Sequence, residues 1–281
     1  PTAVLGSIGS CAASIHLSKI SIDESCFALG IASSHASGLR ANFGTMTKPF
    51  HAGMAAESGV RSVELALLGM TSNRNIFEAD SGYASVFSKI EKIQDGDFVN
   101  SLGNPFCFES PGVDIKPYPC CMSSHNSIEG MFSIIKEEGL KIEDVESIEV
   151  GLLESGYLNL SYHRPKTGLQ AKFSAEYILS RVLKDGNLTI RTFTDELVND
   201  PFIQDFMSKI HVKIDNGLEW EHPMPKPTLL KVITKSGSLH ERTVYTASGK
   251  AEMPLSLEEV ELKFRDCVDG ILKIETTDKV L

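Results

Sequence analysis

Gly44-Thr45-Met46-Thr47-Lys48-Pro49-Phe50-His51-Ala52-Gly53 reads as a loop that delivers a lysine to the mouth of a helix. A residue before proline is pushed out of the α region, whereas proline suits the first helical position. Lys48 is therefore expected at or beside the N-cap of a helix that begins at Pro49. The free N–H groups of that first turn, the positive end of the helix dipole, the Lys48 ammonium and the hydroxyls of Thr45 and Thr47 would converge on a carboxylate or phosphate. His51 lies on the same turn. A cation at a helix N-terminus opposes the dipole, so a plainer alternative stays open, in which Lys48 only covers a solvated helix end.

Behind Lys48, the residues Ala52, Ala55, Ala56, Gly59, Val60, Val63, Ala66 and Leu67 recur at helical spacing, which predicts a buried helix with a stripe of small residues. Gly59 in mid-helix costs roughly 1 kcal/mol relative to alanine, so a second backbone is expected to pass close to it. Upstream, residues 3–18 predict another buried helix. Ser21-Ile22-Asp23-Glu24 has the form of a capping box and opens a helix through Ala32, with His35 near its end. Downstream, Thr71-Ser72-Asn73 breaks the pattern before a short helix around Ile76 to Ala79 and a turn at Ser81-Gly82-Tyr83. The first hundred residues carry no strand pattern.

The character changes at prolines 105, 111, 117 and 119 with Gly112, which mark a crossing segment and a domain boundary. Beyond it the chain predicts a strand over Val113–Lys116 and a helix capped by Ser124, with Ile128, Met131, Phe132 and Ile135 as its apolar face. Further strands are expected at 147–153, 211–214, 228–234 and 241–246, the last two forming a hairpin across 235–238. Helices are expected at 173–183 and 201–210. Ser256-Leu257-Glu258-Glu259 is a second capping box and starts a last helix through Cys267. The fold class expected is α plus α+β: a helical domain over residues 1–110, an α+β lid over 111–254, and residues 255–281 returning to the helical domain.

A chain of 281 residues, 42% hydrophobic and 23% charged, can bury a substantial core. A formal net charge of −10 argues against nucleic acid or an anionic membrane surface as partner. Six cysteines without a C-x-x-C pattern are those expected of reduced thiols in a cytoplasmic protein, or a mitochondrial one if the source is eukaryotic. The apolar run from Val4 to Ile15 lacks a basic flank and is too short to span a bilayer.

The run His35-Ala36-Ser37-Gly38-Leu39-Arg40-Ala41-Asn42-Phe43, continued by the decapeptide around Lys48, closely resembles the core of the MmgE/PrpD family. That family includes 2-methylcitrate dehydratase, cis-aconitate decarboxylase and iminodisuccinate epimerase. Gly82-Tyr83, Lys116-Pro117-Tyr118-Pro119-Cys120-Cys121 with His125, Pro254-Leu255-Ser256 and Lys263-Phe264 extend the match over nearly the whole chain. The resemblance implies an all-helical domain with an α+β lid, of which the helical part is here partial, since Pro1-Thr2-Ala3-Val4 looks like the middle of a longer polypeptide. It also implies a homodimer and a small polycarboxylate substrate, with neither metal nor organic cofactor. In decarboxylase-like relatives the counterparts of Lys48, Lys116 and Tyr157 line a pocket between the two domains. Cys121 stands where some of those relatives carry a pocket histidine, which His125 could partly replace.

Dehydration, decarboxylation and epimerisation of such acids all build negative charge beside a carboxylate, which fixed cations and donors must stabilise. Lys48 and Lys116 supply cations, and His51, His125 and Tyr157 are the candidate proton carriers. Thr45, Thr47, His35 and Cys121 are the candidate substrate-binding groups. The adjacent cysteines lack the spacing of zinc ligands, so no metal site is expected. A lyase, either dehydratase or decarboxylase, is the leading expectation. An epimerase on the same scaffold and a non-catalytic remnant are the alternatives.

Overall fold

The computed structural model describes residues 2–87, 102–221 and 226–281. The chain divides into two compact units, residues 1–105 and Phe106–Leu281.

The first unit is helical, and no strand occurs among its described residues. Helix α1 spans Thr2–Ser18, α2 Ile22–Ser34, α3 Thr47–Leu67 and the short α4 Tyr83–Phe87. The capping box forms as expected: Glu24 accepts from the Ser21 N–H at 2.8 Å and Ser21 Oγ accepts from the Glu24 N–H at 3.2 Å. Around Ile76 to Ala79 the sequence predicts a helix, but the segment is a turn, tied by a Tyr83 N–H bond to the Ile76 carbonyl.

Two helices are less buried than their periodicity predicts. In α1 only Ala3, Ser7 and Cys11, one row at i, i+4 and i+8, are buried. In α3 the buried row is Ala55, Ser58, Gly59, Ser62, Val63 and Ala66, while Ala52, Ala56, Val60 and Leu67 face out. Ser58 and Ser62 enter the core because each hydroxyl bonds back to the carbonyl four residues earlier, which removes the cost of burying it. The close approach at Gly59 is present. A β-carbon there would lie 2.4 Å from the Cys11 backbone nitrogen in α1.

Backbone cannot yield as a flexible side chain does. Gly59→Ala should therefore destabilise the protein by about 1–3 kcal/mol, against the usual helix preference for alanine. Gly53→Ala on the same helix meets open space and should stabilise by up to about 1 kcal/mol. Urea unfolding of the two variants tests this, and a gain in stability for Gly59→Ala would refute it.

The second unit is α+β. It contains α5 (His125–Glu138), β1 (Val145–Leu152), α6 (Glu154–Asn159), α7 (Ala175–Asp185), α8 (Pro201–Phe206), β2 (Ile210–Ile214), β3 (Thr228–Thr234), β4 (Leu239–Val244), α9 (Leu257–Val268) and α10 (Ile274–Val280), with shorter turns between. The sheet order is β2-β1-β3-β4. The predicted hairpin is β3–β4, paired antiparallel with Leu230 opposite Arg242. β1 and β2, however, run parallel, joined by the helical stretch that contains α7. That crossover is one the sequence pattern did not suggest, because the parallel partner lies more than fifty residues away and carries no local turn signal.

α5 and α7 pack together; α5 contacts β3 and β4, and α7 contacts β2. Ile128, Met131, Ile134, Ile148, Val150, Tyr177, Ile178, Leu230 and Val232 form the core between helices and sheet. On the other sheet face, Lys213 pairs with Glu149 and Lys231 with Glu241, each at 2.8 Å.

Val113–Lys116 is not a strand. It runs extended, and the Ile115 N–H bonds to the Gly249 carbonyl at 2.7 Å. Gly249 adopts φ +82°, and a β-carbon there would strike the Ile115 oxygen at 1.9 Å, so that contact demands glycine. The second capping box forms at Ser256 and Glu259. Helices α9 and α10 group with the second unit. Asp266 accepts from the Ile190 N–H at 3.1 Å, and Asp269 pairs with Arg191.

Candidate functional site

In the first unit, α3 starts two residues earlier than predicted, with Met46 as N-cap in helical backbone conformation, so Lys48 sits inside the first turn and Pro49 follows it. Proline is tolerated here because the third N–H of a helix has no intrahelical acceptor. The first-turn donors are largely used locally. The Thr47 N–H goes to Thr45 Oγ1 at 3.2 Å, the Lys48 N–H to the Thr45 carbonyl at 3.3 Å, and Thr45 Oγ1 itself donates to Asn42 O at 2.7 Å. The positive charge foreseen at this helix end therefore resides mainly in the Lys48 ammonium, which lies 5.1 Å from the centre of the Phe43 ring. Thr47, Lys48 and His51 are half-buried, and Thr45 is exposed. Gly38 (φ +95°) brings the preceding loop against the His51 ring, to which a β-carbon would come within 3.4 Å. His35 is the exposed C-cap of α2, its N–H bonded to the Ala32 carbonyl.

In the second unit, the proline-stiffened segment from Lys116 to Cys121 leads into α5. Lys116 is exposed, and its Nζ donates to the Cys120 carbonyl at 3.5 Å. Tyr118 donates to Glu129 at 3.1 Å and meets the His125 ring edge-on at 5.2 Å. Cys120 is buried, its Sγ 3.3 Å from Ser124 Oγ, and burial pushes its thiol up to about 12, which makes it a core residue rather than a nucleophile. Cys121 is half-buried and its N–H is held by the Lys172 carbonyl at 2.9 Å.

His125 is fully buried, and neither ring nitrogen makes a hydrogen bond of normal geometry. Burial first, then the Lys116 ammonium, lowers its pKa to about 4; the Cys120 backbone works the other way, and Lys250 and Lys263 add smaller lowering contributions. His125 is neutral at pH 7. The unfolded chain takes up a proton near pH 6.5 that the folded state refuses until about pH 4, so this contribution to stability is complete above pH 6.5 and is lost as pH falls toward 4. Between pH 7.5 and 5 the loss should be on the order of 2 kcal/mol. Urea unfolding of His125→Met across that range should lack this component; equal pH slopes for wild type and variant would exclude it.

Tyr157 lies on α6, half-buried. That helix is tied to the turn after Cys121 by Asn159 Nδ2, which donates to Ser123 Oγ at 3.3 Å. Between α6, this turn and the loop at Lys250 lies a cleft of about 370 Å³, lined among others by Met122, Asn126, Gly156, Lys226, Tyr245 and Lys250. Lys116 and Cys121 share the stiff segment, His125 opens α5 just beyond it, and the helix of Tyr157 lies beside the turn between them, but none of these four residues lines the cleft. Lys250 and Asn126 are additions that the sequence did not single out. Lys250 is fixed by Asp114 at 2.6 Å, and Asn126 bonds to the carbonyls of Lys226, Val244 and Tyr245. The only sequence signal for Asn126 is its place beside His125; Lys250 sits in a loop with none. Among the described residues, no cluster of histidine, cysteine and carboxylate side chains could hold a metal ion, and no helix is long and apolar enough to cross a membrane.

The MmgE/PrpD N-terminal domain profile matches residues 1–95, and the C-terminal domain profile matches residues 118–281. The chain is 27% identical, over its whole length, to the cis-aconitate decarboxylases of Mus musculus and of Homo sapiens, of which it covers 58%. It is 23% identical to the cis-aconitate decarboxylase of Aspergillus terreus, with 87% of this chain and 52% of that protein aligned. The chain thus spans somewhat over half the length of these relatives. Both domain profiles together cover most of the sequence, and the chain belongs to the MmgE/PrpD family.

Proposed function

We propose that the full-length protein is a lyase that removes CO2 or water from a small di- or tricarboxylate such as cis-aconitate or 2-methylcitrate. The observation that carries this reading is the similarity along the entire chain to cis-aconitate decarboxylases. In the decarboxylation, the C–C bond to the departing carboxylate breaks, its electron pair stays on carbon, and a proton from an acid fills that position. In the dehydration, a base takes a C–H proton, the pair forms the double bond, and the hydroxyl leaves as water with a second proton. Lys48 and Lys116 are the cations proposed to hold the remaining carboxylates and the developing charge, with Thr45, Thr47, His35 and Cys121 as further substrate contacts. His51 and Tyr157 are the proposed proton carriers. His125, buried and neutral, fits a donor or acceptor behind Lys116 rather than a second cation.

Assays of the full-length protein with cis-aconitate, citrate and 2-methylcitrate, following CO2 release and change in alkene absorbance, test the proposal. Turnover of at least one is expected. No turnover of these, together with interconversion of iminodisuccinate stereoisomers, would replace the lyase by an epimerase. No turnover of any, by a folded protein, would leave the non-catalytic reading.

A homodimer is the proposed assembly. Ala52, Ala56, Val60 and Leu67 form an exposed row of small and apolar residues on α3 that suits close packing against a second copy. Light scattering at micromolar concentration should give twice the chain mass; a monomer would contradict the assignment.

A further inference from the structure

We propose that His163 and Glu176 form a proton-transfer dyad on the Tyr157 side of the site, in which His163 exchanges a proton with the substrate and Glu176 positions it. Glu176 stands in the first turn of α7, where a carboxylate is ordinarily solvated at the positive end of the dipole. Here it is 95% buried, and a buried carboxylate requires a specific partner. Its Oε1 lies 2.7 Å from His163 Nδ1, and its Oε2 accepts from Ser174 Oγ at 3.3 Å. The His163 side chain is about half exposed, so one face of the pair is dry and the other open. The backbone is clamped beside both residues, since the Tyr162 N–H bonds to the Phe173 carbonyl at 3.2 Å. The His163 ring lies 5.8 Å from the Tyr157 ring.

A carboxylate that accepts from Nδ1–H fixes the imidazole tautomer and orientation and leaves Nε2 as the atom that takes or gives a proton. A His163–Glu176 contact made only for stability would not need an open imidazole face next to Tyr157, itself a proposed proton carrier. The proposal rests on the lyase reading for its chemistry. After CO2 leaves, Nε2–H of the imidazolium protonates the carbon that retains the C–C electron pair. The neutral imidazole then recovers a proton from water; burial pushes the Glu176 carboxyl above the usual range and the His163 contact works against that shift.

On the full-length enzyme, His163→Gln should lower kcat by about 10²–10³-fold with KM changed less than about threefold. Glu176→Gln should lower kcat by about tenfold with KM changed less than about threefold, and Glu176→Asp, which keeps a carboxylate for Nδ1–H, should recover part of that loss. A merely structural Glu176 would lower stability together with activity and would not separate kcat from KM. A kcat within twofold of wild type for either His163→Gln or Glu176→Gln overturns the dyad; if Glu176→Gln fails to fold, the His163→Gln result decides. If the wild-type enzyme turns over no polycarboxylate, the lyase reading falls on its own. The dyad is then judged by ¹⁵N-histidine NMR with propane-1,2,3-tricarboxylate as probe: a displaced His163 ring signal supports it as a ligand-binding group, and an unmoved signal overturns it.

Discussion

Lys48→Ala in the full-length enzyme should lower kcat by about 10²–10³-fold on the true substrate while leaving the fold intact. The size of the effect follows from what else is present at that corner. The Thr47 and Lys48 N–H groups are bonded to Thr45, and Pro49 has no N–H, so the stabilisation of an anion there falls to side chains, the Lys48 ammonium first. Lys48→Gln, which keeps a donor and removes the charge, separates hydrogen bonding from electrostatics. If Lys48 bound only the ground-state carboxylate, KM would rise with kcat unchanged. If it only covered a helix end, neither would move. Circular dichroism and thermal melting serve as folding controls, and near-wild-type kcat/KM in Lys48→Ala would take the decapeptide out of the mechanism.

Tyr177→Ala should cost about 3–5 kcal/mol of stability, the largest structural effect we expect from a single truncation. The side chain is wholly buried in α7, its ring 6.0 Å from that of Phe193, and its hydroxyl donates to the Thr192 carbonyl at 2.5 Å. Burial pushes the phenol up to about 12, so it remains a donor at any ordinary pH. Tyr177→Phe removes only the hydroxyl and should cost about 1–2 kcal/mol, because the buried Thr192 oxygen loses its donor. Urea unfolding measures both. A loss under about 1 kcal/mol for Tyr177→Ala would mean that the core around α7 collapses into the space left by the ring.

The sequence alone determined what is local. The two capping boxes at Ser21 and Ser256, the β3–β4 hairpin and the near contact at Gly59 each depend on residues within a few positions, or on one position whose side chain must be absent. Lys48 was marked by the proline after it and the helix it opens, whereas Lys116 and Tyr157 came from resemblance, since no periodicity marks them for a pocket. Tertiary structure decided the rest. Which half of the α3 stripe is buried depends on where α1 passes, and the serines at 58 and 62 are accepted because the helix backbone satisfies them. Val113–Lys116 has strand-like composition but meets only the Gly249 loop, so it forms one backbone bond and no ladder. The parallel β1–β2 pair and the contact of His163 with Glu176 join segments that only a packed helical layer brings together. Short-range patterns encode hydrogen bonds that close within a turn; long-range pairing is set by burial, which a single stretch of sequence cannot specify.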